Sequence, residues 1–147
     1  MSIKLTWEDL IVDNFDQKEV ESWLLNWDGI LNGQFSPLFM TKFGYWFLRR
    51  PNGTTEMLDI IDGNLSVVAQ TPEEFQQHMN DPAWQEDFLL SLVVYGFHEK
   101  GIIPRDGQCY GFAPHPALVG KIDNDTVMLM DIAVWQSICA QTLTSNA

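Results

Sequence analysis

The spacing of apolar positions changes several times along this chain, and each change predicts an element. Val20, Trp23, Leu24 and Trp27 recur at intervals of three and four, which puts them on one face of a helix. Asp16 can cap that helix, Glu19 falls at its third position, and Phe15 can staple against Val20, with Gly29 as the predicted end. Upstream, Thr6-Trp-Glu-Asp9 is a loose capping box for a short helix through Leu10 and Ile11. Residues 36–44 read as a connection. Beyond them the period shortens to that of strands at 45–49, 56–61 and 65–69, separated by Asn52-Gly53 and Asp62-Gly63 turns.

Helical signals then return. Thr71-Pro-Glu-Glu74 combines a capping threonine, a proline at the first position and a glutamate at the third. Asp81-Pro82 opens a second helix, predicted over 81–100 and buried on more than one side, because Trp84, Phe88, Leu89, Leu90, Leu92, Val93, Val94 and Tyr95 make it apolar around most of its circumference. Gly101 ends it. Residues 107–120 read as a structured loop, with Pro114 and Pro116 fixing φ and Tyr110 and Phe112 expected to pin it to the core. Asp123-Asn-Asp125 predicts a turn and 127–132 a strand, while the segment to Leu143 is open between helix and strand. The expectation is a single α+β domain: a small antiparallel meander packed against a buried helix, with a further helix near the N-terminus.

Composition narrows the function classes. A chain of 147 residues, 46% hydrophobic, can bury a sizeable core as one domain. Eight basic residues face twenty acidic ones, a formal charge of −12, which repels phosphate backbones and argues against direct nucleic-acid binding. It suits attraction to a basic partner. The sequence opens Met-Ser-Ile-Lys and meets acidic residues at once, so the expectation is a cytoplasmic protein without a signal peptide, and its apolar runs are too short for a membrane span. In that setting Cys109 and Cys139 are expected as free, packed thiols, with a disulfide between them as the alternative.

Candidate chemistry is sparse. Cys109 with His98 or His115 as base defines a cysteine-hydrolase alternative, although the flanking residues match no hydrolase signature. His78, His98 and His115 give no HExxH, and Asp123 and Asp125 lack the glycine and distal glutamate of a calcium loop. Neither a metal nor a cofactor is expected. Asp59 and Asp62 read as strand and turn carboxylates rather than as an acid–base pair. The N-terminal segment is the most acidic part, and within it Asp13, Asp16, Glu19 and Glu21 are the candidate partner-steering residues.

The order of motifs from about residue 37 to 141 resembles a bacterial immunity-protein domain associated with type VI secretion DNase toxins, a domain that often follows a GAD-like domain. The resemblance rests first on Gly107-Gln108-Cys109-Tyr110-Gly111-Phe112, followed by Pro116, Leu118, Gly120 and Asp131. Gly44, Phe47-Leu48, Gly53, Leu58-Asp59, Gly63, Leu65, Glu74-Phe75, Trp84 and Leu92-Val93 precede it in matching order. Residues 1–36 are then a helical N-terminal segment and 37–143 the immunity-type domain. The chain departs from the pattern at His115-Pro116, where the family has a double proline, at Val119-Gly120, where it has a double glycine, and at Trp135 in place of a histidine. What the resemblance implies is a cytoplasmic, non-enzymatic protein that binds and neutralises a cognate protein toxin, a basic nuclease. A scaffold or small-ligand module lined by the tryptophans is the alternative from another class.

Overall fold

A computed structural model describes residues 5–13 and 15–145. Its centre is an antiparallel sheet of five strands in sequential order: β1 (Ile11–Val12), β2 (Ser36–Thr41), β3 (Trp46–Arg49), β4 (Thr55–Asp59) and β5 (Asn64–Ala69). The short helix α1 (Trp7–Leu10) leads into it, with the Asp9 carboxylate accepting from the Thr6 backbone N–H at 2.8 Å. The first two strands extend the expected meander. Residues 36–44 are therefore not a mere connection. Pro37 disguised β2, and it is accommodated at a register shift between Pro37 and Phe39, the kind of bulge at which a strand tolerates proline.

Side chains alternate between the two faces of this sheet, and both faces are covered. Phe39 and Phe47 meet Phe75 of α3 (Pro72–Met79), and Phe47 also meets Trp84 of α4 (Pro82–Leu89). On the other side Trp46 meets Trp23 of α2 (Gln17–Leu24). Being covered twice is why β3 reads as an unbroken apolar run rather than an alternating one. Asp16 caps α2 by accepting from the Lys18 N–H at 2.8 Å, while Phe15 sets its ring against Trp23 and Trp46. The helix stops at Leu24 and tightens into a 3-10 turn at Leu25–Trp27, ahead of the expected stop at Gly29.

The single buried helix expected over 81–100 is two helices. Leu90 adopts the left-handed conformation, φ 56°, between α4 and α5 (Ser91–Glu99). The Glu86 carboxylate accepts from the Leu92 N–H at 2.6 Å and from the Ser91 hydroxyl at 3.1 Å, so it satisfies the donors that open the second helix. Leu92 is 70% exposed, so the apolar circumference there does not mean burial on every side.

The expected loop at 107–120 also resolves differently. Gln108–Phe112 is a strand, β6, and pairs with β7 (Val127–Asp131) in a second, two-stranded sheet. It is followed by a cis Ala113–Pro114 bond and the one-turn helix α6 (Pro116–Val119). A 3-10 turn at Asn124–Thr126 leads into β7, and α7 (Ile132–Ser145) follows at once, with the Ile132 N–H donating to the Gly107 carbonyl. The segment left open in the sequence is thus a helix, and it packs against α2 and both strands of the small sheet.

Gln136 on α7 joins these parts. It is fully buried, and its carbonyl accepts from the indole N–H groups of Trp27 at 2.6 Å and Trp46 at 3.0 Å. Its amide donates to the Gly44 carbonyl at 2.9 Å, while Trp135 donates to the Phe43 carbonyl at 2.9 Å. The start of α7 therefore reads the turn between β2 and β3. One carboxamide ties the N-terminal helix, the sheet and the C-terminal helix together.

Candidate partner-binding surface

The apolar stripe of α2 turns Val20 and Trp23 inward and its carboxylates outward. All four candidate steering residues, Asp13, Asp16, Glu19 and Glu21, are exposed. They do not form one face. Asp16 is engaged as the cap of α2. Glu19 and Glu21 are two residues apart, about 200° around a helix, so they flank opposite sides. Glu21 accepts from Gln17 at 3.3 Å and borders an apolar groove, whereas Asp13 lines a separate depression.

At Asp13 the fold assembles a group that the sequence keeps apart. Glu8, Asp9, Asp13 and Asp106 surround a depression of about 420 Å³, with Ile11 and Val12 of β1 in its wall. Asp106 comes from the segment before β6, and no local signal connects it to residues 8–13. Lys42 sits partly buried beside them; burial pushes its ammonium below the ordinary value, against the pull of Asp9 and Asp106. Among the described residues the ion pairs are Arg50–Glu56 and His78–Glu74, so this cluster is not tied up in close salt bridges. No group of three or more His, Cys, Asp or Glu side chains among the described residues is placed to hold a metal ion.

The motif residues serve the interior. Gly107 turns the chain at φ 81°, and Gln108 accepts from the Arg105 N–H at 2.9 Å. Tyr110 is buried, its hydroxyl donating to the Ile102 carbonyl at 2.7 Å and its backbone N–H to the Lys42 carbonyl. Phe112 packs between Phe43 and Trp135. Gly111 lies under Met130, whose sulfur leaves no room for a Cβ. Pro116 opens α6 and Gly120 closes it at φ 77°.

Cys109 and Cys139 are free and fully buried, and burial pushes the Cys109 thiol up to about 12. The histidine set against a thiol is His115, and that thiol is Cys139, not Cys109, at 3.3 Å. His115 Nδ1 accepts from the Ala117 N–H at 3.1 Å, which leaves Nε2 to carry the proton toward sulfur. Burial lowers the imidazole and raises the Cys139 thiol, so both groups favour their neutral forms. Chemically the pair joins α6 to α7 out of contact with solvent. Neither Cys139 nor Gln136 stood out in the sequence as a polar contact, because each lies on an otherwise apolar segment.

No protein-family model matches the chain, and no curated protein matches it. Among solved structures it is similar to the crystal structure of Atu4351 from Agrobacterium tumefaciens, at 17% identity and a TM-score of 0.52 over 85% of this chain. The match spans 63% of the length of that neighbour. At this identity the similarity speaks for the fold, and the fold is α+β. No helix among the described residues is long and apolar enough to cross a membrane.

Proposed function

We propose that this chain is an immunity-type protein that neutralises a basic secreted toxin, a nuclease, by covering the surface with which the toxin binds phosphates. The observation that carries this reading is the convergence of Glu8, Asp9, Asp13 and Asp106 on one side of a chain with net charge −12. A nuclease presents positive charge to its substrate, and an acidic protein competes for the same field. Long-range attraction then speeds encounter, and occlusion requires an interface on the order of 1,600 Å². The steering group is revised from the four N-terminal residues to this cluster, with Glu19 and Glu21 as flanking charges. Against a tryptophan-lined ligand module, Trp23, Trp27, Trp46, Trp84 and Trp135 are in the core, and Trp7 alone of the six tryptophans is exposed.

The decisive experiment co-expresses the chain with toxins encoded beside its gene, scores survival and isolates the complex. Survival with one such toxin is expected. Reversing Glu8, Asp13 and Asp106 to lysine together should slow association at low salt by at least about tenfold and flatten its salt dependence. Survival with no neighbouring toxin would end the immunity reading. An unchanged association rate in the triple variant would end the electrostatic mechanism alone.

A further inference from the structure

A second feature of the N-terminal region lies away from the acidic cluster and has a different chemistry. Between α2 and residues 31–37 runs an open groove of about 720 Å³, within the size range of ligand pockets. Leu24, Leu25, Leu31 and Phe35 contribute its apolar surface, and Glu21 and Asp28 stand among its lining. Leu25 is 70% exposed although it adjoins a helix whose Val20 and Trp23 are buried. Its position explains this: Trp23 and Trp27 face the core, and a residue midway between them in a helical turn faces away.

We infer that this groove is an anchoring site for a basic partner segment that presents an aliphatic side chain beside lysine or arginine. The identity of that partner as the toxin rests on the function proposed above. Charge complementarity selects the occupant. Among the charged residues that line the groove, Glu21 and Asp28 outnumber Lys18, so an apolar segment flanked by acids would be repelled. Lys18 does line the groove, but it is one cation on a net-negative wall. Phe35 is shared with a second depression that contains Arg49, which donates to the Thr55 hydroxyl at 3.2 Å, and Arg50, whose charge is already engaged. Arg50 pairs with Glu56, donates to the Asn32 and Gln34 carbonyls and lies 5.7 Å from the Phe35 ring centre. The acidic cluster would thus guide the partner and the groove would hold it, a division that places the lasting contact on desolvated apolar side chains.

The test uses the full chain and two synthetic amphipathic peptides as probes, one of leucine and lysine, the other of leucine and glutamate. The lysine peptide is expected to bind and to shift the amide resonances of Leu24, Leu25 and Phe35, and the glutamate peptide is not. Leu25→Asp and Asp28→Lys, both at exposed positions, should each weaken the lysine peptide by at least tenfold while leaving the unfolding curve unchanged. Equal binding of both peptides, resonance shifts confined to other surfaces, or undiminished binding by both variants would overturn the inference. So would concentration-dependent self-association abolished by Leu25→Asp, which would make a second copy the occupant. Groove binding without any neutralised toxin would uphold the groove and reject the immunity reading. Neutralisation that persists in a Leu25→Asp variant no longer able to bind the lysine peptide would leave the immunity reading standing and overturn this anchor.

Discussion

Gly44 and Gly53 each sit in a tight turn between neighbouring strands, at φ 92° and 94°, yet the two turns belong to different kinds of structure. Gly53 closes the β3–β4 hairpin with means found within five residues. The Arg50 N–H donates to the Thr54 carbonyl and the Gly53 N–H to the Arg50 carbonyl, and Asn52 accepts from both the N–H and the hydroxyl of Thr54. The nearest atom to a Cβ there would be Pro72 Cδ at 3.5 Å, an ordinary contact. Gly44 closes the β2–β3 hairpin inside the core, where a Cβ would meet Ile60 at 2.8 Å and Trp135 and Gln136 at 3.0 Å. One turn is specified locally. The other has local bonds of the same kind, with the Thr41 hydroxyl accepting from the Phe43 and Tyr45 N–H groups, and is fixed in addition by a helix that follows about ninety residues later.

That difference has measurable consequences, and the largest is at Gln136. Gln136→Ala removes the acceptor for two buried indoles and the donor to the Gly44 carbonyl, and it opens a cavity as well. The expected loss is on the order of 4 kcal/mol in urea unfolding, a large share of a domain's stability. A loss below about 1 kcal/mol would mean that α7 is held by apolar packing alone. Next come the glycines themselves. Gly44→Ala combines backbone strain with overpacking and should cost about 3 kcal/mol, whereas Gly53→Ala should cost only the strain, about 1–2 kcal/mol. Equal losses would erase the distinction between the turns.

The smallest effect concerns pH and lies at the closing helix, where His115 packs on Trp135 and Cys139. Burial holds the His115 imidazole below its ordinary 6.5. The unfolded chain therefore takes up a proton that the folded chain refuses. Stability is fully present above 6.5 and falls as pH drops through that value toward the lower folded one. Between pH 7.5 and 5.5, His115→Gln should lose less stability than the parent, by under about 1 kcal/mol, since a full pKa unit is worth about 1.4. Parallel slopes in the two proteins would place the acid sensitivity elsewhere.

The same contrast explains what the sequence could reveal. The hairpins at Asn52-Gly53 and Asp62-Gly63 and the cap at Thr71 were legible because each is a local device; Thr71, for instance, accepts from the Glu74 N–H at 3.1 Å. The break at Leu90 was not, since neither glycine nor proline marks it and a glutamate four residues earlier makes it tolerable. The motif at 107–112 suggested a loop because its glycines and aromatics match turn chemistry. Pairing with residues 127–131 makes it a strand, and only a partner across fifteen or more positions supplies that information. On the surface, acidity was visible as composition, but the approach of Asp106 to residues 8–13 depends on the tertiary fold. The groove at α2 was hidden for a related reason: Leu24 and Leu25 meet Leu31 and Phe35 across it only once the chain has folded back.

The position of Gln136 also matters while the chain is being made. Every acidic and basic residue lies before Ile132, so the emerging chain carries its full charge of −12 before the closing helix begins. Until residue 136 leaves the ribosome, Trp27 and Trp46 lack their acceptor, and the sheet face that carries Trp46 has only Phe15 and α2 to cover it. Such an interval favours association between unfinished chains. Here every chain passing through it repels its neighbours, so the acidity of this protein also guards its own synthesis.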